Sequence, residues 1–272
     1  MHFLIKSILP IALLMGVFAL QGQESTWKPV EVDGKNISRL QVNLYRGKIE
    51  VYPSQSGDFE IETTAFDFDR HEKKGRYVSF SKSSAQEQVQ VTEKEGTLRL
   101  FNELSREIIG LRIGIPEAVE LAIEVEHFGE VTTKALEAEI EVILFKGFIA
   151  LAEVQHAVNL HIARDGAIKV DFNQIPEATY SAVSIYDGAI GISLPEAPDL
   201  KLKASTDQGK VIDNLGQKWT EFEAKEFEEK DSSGKSRKKR GIIKTTQMGK
   251  GSAQLTLRNI RGDIGILIPR KK

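Results

Sequence analysis

Apolar and polar side chains alternate along this chain in short bursts, and most bursts follow a glycine. The recurring unit is Gly-x-apolar-x-apolar, seen at Gly47–Val51, Gly57–Ile61 and Gly96–Leu100, and again at Gly147–Leu151, Gly166–Val170, Gly188–Ile192 and Gly262–Ile266. Gly129-Glu-Val131 and Gly209-Lys-Val211 carry its first half. From Gly129 the successive glycines stand 18, 19, 22 and 21 residues apart, and the weaker units Ala138–Val142 and Ala157–Leu160 fall between them. The underlying beat is therefore about nine or ten residues. Period-two alternation over five residues specifies a half-buried strand, and the glycine ahead of it allows a corner that a side chain would obstruct. One such strand cannot bury its apolar face alone. Copies stacked at the strand spacing of about 4.8 Å can cover one another, so the pattern predicts an all-β chain in the form of a β-solenoid or β-helix-like stack.

A longer duplication agrees. Pro116-Glu-Ala-Val-Glu-Leu121 and Pro195-Glu-Ala-Pro-Asp-Leu200 match at four of six positions, each after an apolar strand, and Ile266-Leu-Ile-Pro269 echoes them near the end. Proline lacks the N–H that a central ladder needs, so these segments mark strand exits. No stretch after residue 22 holds the i, i+3, i+4, i+7 spacing of a long amphipathic helix. Thr132–Val142 is rich in Ala and Glu, yet Ile140-Glu-Val142 alternates on the beat and is read as strand.

The beat breaks twice. Residues 62–95 contain the charged run Asp67–Lys74 and predict a loop with a hairpin around Tyr77–Phe80 and Val89–Val91, while Trp27 and Leu40–Leu44 are assigned to a cap on the first coil. Residues 219–250 set an acidic stretch, Glu221–Asp231, against the basic run Lys235, Arg237, Lys238, Lys239 and Arg240, with formal charges of −4 and +5. Opposite signs about Ser232-Ser-Gly234 predict a long hairpin or an exposed loop whose charges offset. The resulting plan is one elongated domain over 23–272: an N-terminal cap with irregular hairpins at 23–95, regular coils at 96–218, a charged insertion at 219–250 and final strands at 251–272.

Residues 1–22 read as a secretory signal, with Lys6 ahead of an apolar run from Ile8 to Leu20. That run is short for a membrane span, which needs about 20 apolar residues, so no stable span is expected once the signal is removed. Cysteine is absent. A lipid-modified cysteine and a disulfide framework are thus excluded, and an exported chain without disulfides points to a bacterial envelope: periplasm, outer-membrane surface or medium. Beyond residue 22 the chain holds 36 basic and 39 acidic residues. A net charge of −3, with no aromatic platform among its cations, offers nothing to nucleic acid.

Candidate chemistry is sparse. No Gly-x-Ser-x-Gly is present, and without cysteine covalent catalysis by a thiol is ruled out. Asp67, Asp69, Asp165 and Asp171 are the carboxylates to consider for polysaccharide cleavage, and solvated strand charge is the simpler account of them. His156 and His161 lie five apart, on opposite faces of a strand, and His127 falls where it could stack near one of them. No metal, no cofactor and no catalytic residue are expected. The contact candidate is the basic run of Lys235, Arg237, Lys238, Lys239 and Arg240, which could meet anionic glycan or lipid phosphate.

The succession of Gly-x-Ile-x-Val units with Leu-Pro or Ile-Pro exits, from Leu111 to Leu215 and from Gly251 to Pro269, resembles the bacterial putative-adhesin family, a domain of unknown function in envelope proteins. The resemblance implies a solenoid-like fold outside the cytoplasm and an adhesive role, and supplies no catalytic residues. The expectation is a non-catalytic exported binding module that meets a protein or glycan through a solenoid face. The alternatives are a structural or accessory periplasmic scaffold and a polysaccharide-acting β-helix enzyme.

Overall fold

The computed structural model describes residues 27–32, 36–66, 89–102, 108–216, 219, 221–230 and 236–269. The segment read as a signal, Asp67, Asp69 and the hairpin around Tyr77–Phe80 lie outside the described residues. The chain is all-β, with no helix among the described residues. Its strands are β1 (Lys28–Pro29), β2 (Arg39–Pro53), β3 (Glu60–Phe66), β4 (Gln90–Lys94), β5 (Thr97–Phe101) and β6 (Ile108–Ile115), followed by β7 (Glu120–Lys134), β8 (Ile140–Leu144), β9 (Gly147–Val154), β10 (Val158–Phe172) and β11 (Tyr180–Ser193). The remainder are β12 (Leu200–Gln208), β13 (Val211–Asp213), β14 (Glu221–Lys230), β15 (Ser236–Met248), β16 (Ala253–Arg261) and β17 (Ile264–Leu267).

Two parallel ladders organise them. The first runs β5, the front half of β2, the front half of β7, β8, the front halves of β10 and β11, β16 and β12. The second runs β6, the back halves of β2 and β7, β9, the back halves of β10 and β11, β17 and β13. A 15-residue strand such as β10 thus serves both ladders, turning between them at a glycine. Each front half with its back half makes one tier.

Because the register is in step, inward side chains line up in columns. Leu100, Val42, Ile123, Val142, Leu160, Val183, Leu257 and Ala204 follow one another through the first ladder, and Leu111, Ile49, Val131, Ile149, Ile168, Ile190 and Ile264 through the second. All are fully buried. Burying each large aliphatic stabilises the fold by about 1.5–3 kcal/mol relative to exposure, so the columns rather than any single contact hold the tiers together. The column next to the corner turns polar at one end, where Asn259 and Thr206 follow Ile185. The Asn259 amide donates to the carbonyl oxygens of Gly188 and Asp263, and the Thr206 hydroxyl to that of Gly262 at 3.0 Å, so the exchange leaves corner carbonyls bonded rather than bare.

Gly47, Gly129, Gly147, Gly166 and Gly188 are direct partners across the second ladder, and Gly262 and Gly209 continue the series two residues ahead of Ile264 and Val211. A Cβ added at Gly147 would collide with the carbonyl oxygen of Gly129, one at Gly166 with that of Gly147, and one at Gly188 with that of Gly166. The glycine is therefore demanded by the tier next door as much as by the local turn.

Sequence order and spatial order differ at both ends. Leu40–Leu44, assigned above to a cap, lies in an internal tier, since β2 pairs with β5 and β6 on one side and β7 on the other. The end beyond is closed by antiparallel strands: β4 on β5, and β1 on β3 on β6, with the Arg112 guanidinium 4.3 Å from the Trp27 ring centroid. Likewise 251–272 is final in sequence only. β16 and β17 sit between β11 on one side and β12 and β13 on the other. Past β12, β14 and β15 form an antiparallel pair, laid on β12 through β15.

The inserted β16 is clamped by one carboxylate. Asp199 Oδ1 accepts from the Gly251 N–H at 2.6 Å and the Ser252 N–H at 3.3 Å, and the Asp199 carbonyl accepts from the Ser252 hydroxyl. Desolvation pushes the Asp199 pKa up, but the bonds from Ser252, Gly251 and Lys250 outweigh it and hold the group below its ordinary value. A carboxyl depressed in the folded state contributes stability above its unfolded pKa of about 3.9 and loses it as pH falls through the lower folded value. Thermal unfolding followed from pH 6 to pH 2 should show that loss in the native chain. In Asp199→Asn the contribution should be missing at every pH, so the two curves converge in acid.

Candidate functional site

The outward side chains of the first ladder form a continuous face, and its back edge is the corner just before the glycine column. There the chain places Tyr45-Arg46, His127-Phe128, Phe145-Lys146, Arg164, Tyr186 and Arg261 on successive tiers. Three places before a column glycine Leu44, Leu144 and Ile185 still point inward, but the residues one or two places before it do not, so large side chains there stack on the next tier. Tyr45 and His127 have ring centroids 5.4 Å apart, and His127 and Phe145 6.4 Å. The Arg164 guanidinium lies 5.3 Å from the Phe145 ring centroid, Arg46 sits over Tyr45, and Arg261 lies 5.3 Å from the Tyr186 ring centroid. Across the corner Phe128 meets Phe148 edge-on at 6.5 Å.

The ridge is open to solvent: Phe145 is 40 %, Tyr186 42 % and Phe148 51 % exposed. Side chains of this size normally bury, and an exposed line of aromatic and guanidinium groups is the composition of binding hot spots. Cation–π contacts of about 0.5–1 kcal/mol at exposed sites hold the arginines against the rings. Nearby charge is mixed, with Lys146 paired to Asp165 at 3.1 Å and Arg258 to Asp207 at 2.7 Å.

The front edge of the same face carries a groove of about 230 Å3. Its lining includes Arg39, Glu120, Glu139, Glu141, Ala157, Asn159 and Tyr180. Arg39 reaches Glu120 at 3.5 Å and Glu141 at 3.6 Å, and the Asn159 amide donates to Glu141 at 3.2 Å. Between groove and ridge run Asn43, Glu124, Ile143, His161 and Ser184, with Asn43 bonded to Glu124 and His161 Nδ1 2.8 Å from the Ser184 hydroxyl.

The residues singled out from sequence are dispersed. Lys235 lies outside the described residues, and Arg237, Lys238, Lys239 and Arg240 fall in β15, directly opposite Glu229, Glu228, Phe227 and Glu226 of β14. Asp165 is taken up by Lys146, and Asp171 stands on another strand segment opposite Ser193. His127 stacks on Tyr45 and Phe145 instead of another histidine, and His161 meets Ser184. Among the described residues no group of three His, Asp or Glu is placed to hold a metal ion. The ridge was not singled out from sequence, although a signal for it exists: an aromatic or cationic residue recurs just before the column glycines.

No family model matches the chain, and no curated protein matches it. Solved structures do. A putative cell adhesion protein from Clostridium sporogenes ATCC 15579 is similar over 90% of this chain and 100% of its own, at 13% identity and a TM-score of 0.46. A putative adhesin from Bacteroides fragilis NCTC 9343 is similar over 90% and 98%, at 10% identity and a TM-score of 0.30. Another from Parabacteroides merdae ATCC 43184 is similar over 90% and 96%, at 11% identity and a TM-score of 0.24.

Proposed function

We propose that the stacked tiers are the coils of a β-solenoid, and that the chain is a non-catalytic binding module of the bacterial envelope whose contact surface is the outer face of the first ladder. One observation carries this reading: the ridge from Tyr45 to Arg261, half-buried at its two ends and exposed at His127, Phe145, Arg164 and Tyr186, which repeats an aromatic or cationic group tier after tier. A surface that repeats at about 4.8 Å suits an extended partner better than a compact one, because each added tier adds a similar contact. Packing alone gives no reason to keep Phe145, Phe148 and Tyr186 in water.

The test is retention of the purified chain on arrays of surface glycans and extracellular proteins. The double variant Phe145→Ser, Tyr186→Ser should lose at least tenfold in affinity for whatever the native chain retains, with its thermal unfolding little changed. Retention equal to that of the native chain would reject the ridge as the contact surface. A chain that retains nothing would leave the scaffold account as the better one.

A further inference from the structure

We propose that the groove at the front edge of this face is a subsite for a saccharide unit that is uncharged or carries an amino group. The proposal deepens the binding-module reading and rests on it. Its starting point is a local opening of the ladder. β10 pairs with β8 from Val158 onward, and β11 pairs with β16 from Tyr180 onward, but β10 and β11 pair with each other only from Asn159 and Ala182. The gap this leaves is bridged by a side chain: the buried Ser181 hydroxyl accepts from the Val158 N–H at 3.1 Å. Ala157 stands at the gap with only a methyl group, between Glu139 of the tier before and Tyr180 of the tier after. The result is a concavity at this edge of the face.

Its chemistry is polar and fixed in place. Arg39 is held between Glu120 and Glu141, and Glu141 is further bonded by Asn159, so guanidinium, carboxylate and amide planes are oriented before a ligand enters. Planar groups with paired donors or acceptors match the neighbouring hydroxyls of a sugar ring, and charge-assisted hydrogen bonds of this kind are the stronger ones. Tyr180, 59 % exposed, supplies an aromatic ring at the rim with a hydroxyl at its tip. Three carboxylates against one guanidinium leave the groove negative, so a uronate or sulfated sugar meets like charge while a neutral or amino sugar does not.

The test is titration of the full chain by isothermal calorimetry with three probes: a neutral N-acetylhexosamine oligosaccharide, a glucosamine oligosaccharide and a uronic-acid oligosaccharide. We expect binding of the neutral or the amino probe, at least tenfold weaker in Tyr180→Ala and in Ala157→Leu, which fills the concavity from a half-buried position at its floor. Tighter binding of the uronic-acid probe, binding that neither variant weakens, or no binding of any probe would overturn the proposal. The two readings remain separable, because loss of array retention in Phe145→Ser, Tyr186→Ser alongside failed titrations leaves the ridge standing and removes only the saccharide subsite.

Discussion

Gly166→Ala should be among the most damaging single-methyl additions in this protein, costing upwards of about 4 kcal/mol, in the range reserved for exceptional core disruptions. The added Cβ would meet the carbonyl oxygen of Gly147, an atom of the neighbouring tier's backbone that no side-chain rotation can move aside. Relief would require the tiers to separate at the corner, where buried Ile162 and Ile168 flank the glycine on either side. Gly147→Ala should be as severe, since it adds a φ of +138°, where only glycine is at ease, to the collision with Gly129. The control is Gly191→Ala, in the same sheet and one tier along. Its added Cβ would have only the Ile168 carbonyl oxygen near it, at 4.0 Å. That variant should stay within about 0.5 kcal/mol of the native chain, the ordinary range of a surface substitution. At about 2–4 °C per kcal/mol for a chain of this size, calorimetry should separate the two classes by roughly 10 °C. Equal melting of Gly166→Ala and Gly191→Ala would mean that the tiers do not touch at this column.

Strand content was legible because alternation and a preceding glycine are local properties. Their meaning in three dimensions was not, and the N-terminal units show why. Gly47–Val51, Gly57–Ile61 and Gly96–Leu100 look alike, yet only Gly47 joins the corner column. Ile61 lies in β3, antiparallel to β6, and Gly96, with φ of +73°, turns the β4–β5 hairpin. The tier opposite Gly47 has Ile109 in its place. Five residues of alternation state that a strand has a buried face but not which neighbour covers it. The exposed ridge was hidden for a related reason. It is assembled from residues that stand from 18 to 82 positions apart between successive tiers, each unremarkable in its own segment, and becomes a surface only when the tiers are set in register. The basic run drew attention because it is contiguous, and in the fold its strand lies opposite an acidic one.

The Pro-Glu-Ala segments make the same point about connections. Pro116-Glu-Ala118 leads from β6 to β7 across the tier that β2 fills, and Pro195-Glu-Ala197 leads from β11 to β12 across the tier that β16 and β17 fill. Pro176-Glu-Ala178, the same tripeptide, leads from β10 to its immediate neighbour β11. Ala118 and Ala178 both take positive φ, near +60°. The tripeptide therefore encodes a corner and says nothing about the length of the step.

A chain ending at Lys250 should consequently fail to fold past β11, although it lacks only the last 22 residues. In a serial stack such a truncation would remove an end and leave the rest intact, since each repeat relies on its neighbours alone. Here it removes the tier between β11 and β12. The inward columns lose Leu255, Leu257, Ile264 and Ile266 from the tier next to their end, all fully buried, and at about 2–5 kcal/mol for each large aliphatic removed the loss is as large as the whole stability of an ordinary domain. Asp199 loses the Gly251 and Ser252 N–H groups that it binds, and β12 has no parallel partner left. Limited proteolysis should then cut freely between Leu194 and Lys250 while Leu121–Val170 stays protected, whereas the full chain resists in both regions. Adding the separate peptide Gly251–Pro269 should restore protection, because the gap it fills is flanked by strands already shaped to receive it. A truncated chain that resists proteolysis throughout would show that β12 can close directly onto β11, which the residue-by-residue pairing of β16 with both makes the outcome most informative to look for.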